Sequence, residues 1–264
     1  MSPAPDAMPR SHAPPDTLVG ILAHELRTPI TTVYAGSALL ARDVNLLPTM
    51  RRELAADVCA EAGRVYRVVE DLIVLTRLER GAIRLARERV WLDRAIAAAV
   101  RLEHDRWPIL RVRPSVEGSP RPVVADALAL GHILRNLIAN IGWRATSPAD
   151  LEIDVAMRGD RVECRFLDRT ASLPAAALDT LFDLPPTEAE GVALSPGIAL
   201  YVARELLLSM GGTVWARPLD DETVELGFDL PACEPDVGRG RRSMASRRRR
   251  RRTTTAASSS ARAA

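Results

Sequence analysis

The chain has 264 residues, of which 47% are hydrophobic and 27% charged, and its formal net charge is +2. That length fits one large domain or two small ones, and the composition is that of a soluble protein with a buried core. No segment approaches the roughly 18 to 20 consecutive apolar residues of a transmembrane helix, and the Pro-rich start "MSPAPDAMPRSHAPPD" lacks the apolar stretch of a signal peptide. No membrane contact and a cytoplasmic location are therefore expected. The three cysteines, Cys59, Cys164 and Cys233, are far apart and odd in number, so they define neither a metal site nor a disulfide framework. The charge is uneven: from Ala232 onward there are ten arginines and two acids, a net of +8, which leaves −6 on the other 231 residues.

Residues 1–15 contain five prolines and no periodicity, and read as a disordered leader. A helix is predicted from Asp16, with Asp16 or Thr17 as its N-cap, to about Ala41. After the turn "NLLP" a second helix is predicted over Pro48–Glu79, because Met50, Leu54, Val58, Val65, Val68, Leu72 and Leu75 fall at helical spacings. The two make an antiparallel hairpin. A lone hairpin buries little, so pairing with a second copy into a dimeric four-helix bundle is expected.

Beyond residue 85 the pattern changes. "WLDRAIAAAVRLEH" reads as a helix, "ILRVRPSV" as a strand, and about Ala125–Trp143 as a helix. Leu151, Ile153, Val155 and Met157 alternate with other residues, as do Val162, Cys164 and Phe166 across "RGD", which predicts a hairpin of half-buried strands. A loop, a helix around "GIALYVARELLLSM", a Gly211-Gly212 turn and two closing strands, "TVWARPL" and "TVELGFDL", complete an α/β sandwich around one mixed sheet over 90–231. Residues 232–264 are low-complexity and read as a disordered Arg-rich tail. Arg247–Arg252 could attract nucleic acid, but no aromatics interleave as stacking would need, and a solvated end is the expected state.

The stretch "AHELRTP", Ala23–Pro29, is unusual inside a helix. Pro29 has no N–H, so the carbonyl of Glu25 loses its helical partner and a kink is expected. Thr28 shares a face with His24. Glu25 can accept a proton from the His24 ring, fixing its tautomer and freeing the other nitrogen as a nucleophile. From these residue types alone, a surface histidine beside a proline kink fits as well. The other histidines, His12, His104 and His132, look incidental, one in a tail and two on helix surfaces.

The string "HELRTP" on the first helix of a helical hairpin resembles the phospho-acceptor box of the two-component sensor histidine kinases. The resemblance covers about residues 17–231. It implies a fold of phospho-acceptor hairpin (16–85) followed by a GHKL-type ATP-binding domain (90–231), with ATP and Mg²⁺ as cofactors. It also implies a homodimer, a response regulator receiver domain as partner, and phosphoryl transfer through His24, with Glu25 as orienting base and Thr28 and Arg27 serving the reverse reaction. Only 15 residues stand before the hairpin, so the input is expected from a partner such as an upstream sensor protein, from a cytosolic ligand acting on this core, or from a neighbouring chain.

Within the second domain, "LGHILRNLIANIGWRAT" resembles the family's asparagine box. Asn136, Asn140 and Arg144 recur every four residues on one helix face, and Leu130, Leu134, Leu137 and Ile141 line another. An ordinary polar outer face would look the same. By resemblance, Asn140 is the magnesium ligand, Arg144 the basic residue that holds phosphate, and Asp126 opens the region. The next box should read Asp-x-Gly-x-Gly. Here Asp168, the residue for the adenine amino group, is followed by Thr170 and Ser172 in place of both glycines. "LDTLFD" resembles the phenylalanine box through Phe182, and the lid ends in Ser195-Pro196-Gly197-Ile198-Ala199-Leu200, where Gly197 survives and Ala199 replaces a glycine. The lost glycines give the alternative of a phosphotransfer or scaffold protein that no longer binds ATP.

Overall fold

A computed structural model of the chain describes residues 15–42, 46–145, 147–170, 173–184, 198–220 and 223–234. Residues up to Ala232 form one unit, and Cys233–Ala264 a second, of which only the first two residues are described. The leader at 1–14, Ser172, the lid segment 185–197 and the Arg-rich run lie outside the described residues.

Helix α1 spans Pro15–Ala41 and α2 spans Pro48–Glu79. Asp16 and Thr17 thus lie within α1, whose first residue is Pro15, a residue suited to a first helical turn. The helix passes through Pro29 and continues for three turns beyond it. Just past the proline, the Thr31 hydroxyl donates to the Arg27 carbonyl at 2.7 Å and the Thr32 hydroxyl to the Thr28 carbonyl at 3.3 Å. Gly36 of α1 packs closely on α2: a Cβ there would meet Val58 Cγ2 at 2.5 Å.

The second part runs β1 (Glu88–Val90), α3 (Leu92–His104), β2 (Leu110–Val116), β3 (Val123–Ala125), α4 (Ala127–Arg144), β4 (Ala149–Arg158), β5 (Arg161–Asp168), α5 (Ala175–Asp179), α6 (Ala199–Ser209), β6 (Thr213–Pro218) and β7 (Val224–Pro231). The main sheet has the order β2-β4-β5-β7-β6, and β1 pairs with β3 in a separate two-stranded ribbon. Only β2–β4 among the main-sheet pairs is parallel, with Leu110 opposite Ala149, so the sheet is mixed as expected. Alternation places Leu151, Ile153 and Val155 of β4, Val162, Cys164 and Phe166 of β5 and Leu226, Phe228 and Leu230 of β7 in the core. Leu130, Leu134, Leu137 and Ile141 of α4 and Leu200, Ala203 and Leu207 of α6 are also fully buried. The β4–β5 turn uses Gly159 at φ 64°, and α6 ends on Gly211 at φ 76°, a left-handed cap that glycine adopts without a Cβ penalty. The elements missing from the sequence reading are β1, β3 and α5, each five residues or fewer.

Candidate functional site

On α1, His24, Arg27 and Thr28 are exposed on one helix face. Glu25 is partly buried and turns the other way, because neighbours on a helix point about 100° apart. Its carboxylate lies 3.8 Å from Arg64 Nη2 on α2. Burial raises the Glu25 pKa, opposed by the positive charge of Arg64 and by His24. The expected hydrogen bond from the His24 ring to Glu25 does not form among the described residues; Arg64 takes that carboxylate instead.

The face of α4 that carries Asn136, Asn140 and Arg144 is not a solvated outer face. The three are 3%, 8% and 8% exposed. Asp126 caps the helix, its Oδ1 accepting from the backbone N–H of Leu128 at 3.0 Å and Ala129 at 2.9 Å, while Oδ2 accepts from Ala86 N–H at 2.8 Å. Arg144 closes a buried cluster at the other end: Nη1 donates to Asn140 Oδ1 and Nη2 to Asp168 Oδ2. Asp168 is wholly buried at the end of β5. Its Oδ1 accepts from the Thr170 backbone N–H at 2.8 Å and hydroxyl at 2.6 Å. So Thr170, standing where a glycine was expected, caps the aspartate. Arg144 spends its charge on Asp168 and Asn140.

Asn136 points elsewhere. Its Nδ2 donates to Asp71 Oδ1 on α2 at 2.8 Å and to the Ala199 carbonyl at the start of α6 at 3.1 Å. Asp71 Oδ1 also bonds His132 Nε2 at 2.6 Å. The sequence reading of His132 as incidental is thereby corrected: it is mostly buried at the junction of α4 with the hairpin, whereas His104 is exposed as expected. Further along the same junction, Arg135 lies 3.8 Å from Glu70, and the Arg64 guanidinium stacks 4.5 Å from the Trp143 ring centroid. Numbers rise on α2 as they fall on α4, so the two helices run antiparallel where they touch.

Asp71 and Arg64 were not singled out from the sequence. For Asp71 a signal existed: it is three residues after Val68 and four before Leu75, on the buried stripe of α2. An acid at that position needs a partner. Gly197 lies outside the described residues. Among the described residues no group of three or more His, Cys, Asp and Glu could hold a metal, and no helix is long and apolar enough to cross a membrane.

The donor set suits a nucleotide: a buried carboxylate for an amino group, an amide oxygen for a hard cation, and a guanidinium for phosphate. Arg144 Nε is also buried with no hydrogen-bond partner among the described residues, a donor that a bound anion would satisfy.

Comparison with known proteins agrees with this arrangement. Residues 16–81 match the family model of the His Kinase A (phospho-acceptor) domain, and residues 125–242 that of the histidine kinase-, DNA gyrase B- and HSP90-like ATPase. Sensor protein KdpD of Escherichia coli is 22% identical over 210 residues, covering 76% of this chain and 22% of KdpD. Sensor protein VanS of Enterococcus faecium is 23% identical over 234 residues, covering 86% of this chain and 59% of VanS. The chain therefore spans about a quarter to three fifths of the curated relatives it matches. Acinetobacter baumannii histidine kinase AdeS has the same fold, with a TM-score of 0.59 at 19% identity over 80% of this chain and 98% of AdeS. Histidine kinase ThkA, in complex with response regulator protein TrrA, has a TM-score of 0.58 at 15% identity over 82% of this chain and 61% of ThkA. With both domains present in this order, the chain belongs to the two-component sensor histidine kinases.

Proposed function

We propose that the chain autophosphorylates His24 from ATP and passes the phosphoryl group to an aspartate of a response regulator. The observation that carries this reading is the laying of α4, with Asn136, Asn140 and Arg144, along the hairpin that exposes His24. A ring nitrogen of His24 forms the new P–N bond as the bond from the γ-phosphorus to the ADP oxygen breaks. The proton on the other nitrogen is lost to the base, for which Glu25 is the candidate. Burial makes Glu25 more basic than an ordinary carboxylate, which suits that task. Asp168 would bind the adenine amino group, Asn140 would hold Mg²⁺, and Arg144 the phosphates, with Thr170, Gly197 and Ala199 bordering the nucleotide. When bound, Mg²⁺ supplies charge neutralisation on the phosphates. Because Arg144 closes on Asp168 and Asn140, nucleotide entry requires that guanidinium to swing away. Thr28 and Arg27, exposed beside His24, would serve dephosphorylation of the regulator.

Self-association and partner binding follow from the same chemistry. Val19, Ile30, Tyr34, Met50 and Ile73 are exposed on the hairpin, apolar surface that a second copy would cover in a four-helix bundle. Response regulator binding is supported by the ThkA complex. A cytoplasmic site of action and an upstream sensor protein as input complete the proposal.

The test uses the purified chain with Mg²⁺ and γ-labelled ATP, beside His24→Gln. Label that survives alkali, is lost in acid and is missing from the variant is the expected phosphoramidate. No label on a folded dimer would instead leave a phosphotransfer scaffold.

A further inference from the structure

Arg64 is the side chain that touches both halves of the proposed reaction. Its Nη2 lies 3.8 Å from the Glu25 carboxylate on α1, and its Cζ lies 4.5 Å over the ring of Trp143, the residue before Arg144 on α4. The Arg64 side chain is 26% exposed and that of Glu25 14%, so this contact is only partly open to water. A planar guanidinium can pair with a carboxylate at its edge while it stacks on an aromatic face; an ammonium supplies only the charge.

We infer that Arg64 is a positioning residue that couples the docking of α4 on the hairpin to the orientation of Glu25 beside His24. The inference rests on the reading above, in which Glu25 takes the His24 proton. The coupling is two-sided. When Trp143 is seated, Arg64 is held where it turns Glu25 toward α2. When the sheet domain leaves the hairpin, Arg64 loses its stack and Glu25 its fixed partner. Among the described residues, the charged or titratable groups that act on Glu25 are His24 on its own helix and Arg64 from α2. Trp143, the neighbour contributed by α4, does not titrate. Arg67, near Arg64 on α2, also feels Arg106 and the acids Glu103 and Asp71, so the charges around it are mixed.

The measurement has two parts on the full chain. The first is the rate of phosphohistidine formation against pH for the native protein, Arg64→Ala and Arg64→Lys. Arg64 stabilises the ionised form of Glu25, so its loss moves the acid limb of the profile to higher pH. Because Arg64 holds Glu25 toward α2 and away from His24, Arg64→Ala is expected to raise the plateau rate by freeing the base to reach His24. Arg64→Lys keeps the charge without the stack on Trp143, and is expected to leave the acid limb in place and raise the plateau less. The second part needs no ATP: urea unfolding of Arg64→Ala, Trp143→Leu and the double variant, with the effects expected to be non-additive. An acid limb unmoved in Arg64→Ala overturns the inference, as does an additive cycle. A native chain that forms no phosphohistidine while the cycle stays non-additive would sink the kinase reading and leave the Arg64 tie between the two helices standing.

Discussion

Arg144 and Asp168 meet with almost no water around them, at 4% and 0% side-chain exposure. Removing one member of such a pair leaves the other as an uncompensated buried charge, which costs about 3–5 kcal/mol. Arg144→Ala is therefore expected to lower the unfolding free energy obtained from urea titration by that order. Adding Asp168→Asn should recover part of the loss, because no charge then remains buried; a double variant no more stable than the single one would contradict the pairing. The residue types at this site were legible from the motif alone, down to Asn140, Asp168 and the glycine replaced by Thr170. What they bond to was not. The partners of Asp168 are 24 residues back and two residues on, and those of Asp71 are 61 and 65 residues away. Local pattern carries no record of such pairings. It records only that position 71 lies on a buried stripe.

Helix α4 shows how closely the elements are fitted. A Cβ at Gly142 would meet Trp107 Cδ2 at 2.4 Å, while one at Gly131 on the same helix would meet nothing within 4 Å. Trp107 has little freedom to move: it packs edge-on to Trp143 at 5.5 Å, and its indole N–H donates to buried Glu103 at 3.2 Å. Gly142→Ala is expected to destabilise the protein by about 1–3 kcal/mol through overpacking. Gly131→Ala should instead gain up to about 1 kcal/mol, since glycine weakens a helix interior. Urea unfolding of the two variants side by side checks both signs. At this scale the sequence was largely readable. The long helices have enough turns to display their spacing, and β4, β5 and β7 enough residues to alternate. The ribbon strands β1 and β3 have three residues each, and α5 has five, which is too short for either period to repeat. α1 runs on through Pro29 to Ala41, as expected, and beyond the proline the Thr31 and Thr32 hydroxyls bond the carbonyls of Arg27 and Thr28.

Across the sheet domain, stability depends on pH through groups such as Asp229, which ties three strands together. Arg161 Nη2 of β5 donates to it at 2.7 Å, and the Thr213 N–H and hydroxyl of β6 donate at 2.9 and 2.8 Å. Burial alone would raise the Asp229 pKa, but the Arg161 and Thr213 hydrogen bonds outweigh it and bring it below the usual carboxylate value. A folded-state pKa below the unfolded one contributes stability above the unfolded value and loses it as pH falls through the folded value. Asp229→Asn is thus expected to unfold more easily than the native chain near neutrality, with the gap narrowing below about pH 4. Urea midpoints across that range decide it, and a gap independent of pH would count against the argument.

The two outer strands of the main sheet carry another consequence. β2 reads Leu-Arg-Val-Arg-Pro-Ser-Val, with Arg111, Arg113 and Pro114, and β6 ends on Pro218. Open strand edges invite other chains to add on, and charge and proline are what discourage this. Arg111 and Arg113 both reach Asp150 on β4, at 2.9 and 3.2 Å, so the guard on the β2 edge is itself anchored. The sheet is thereby protected against runaway fibre growth at its margins.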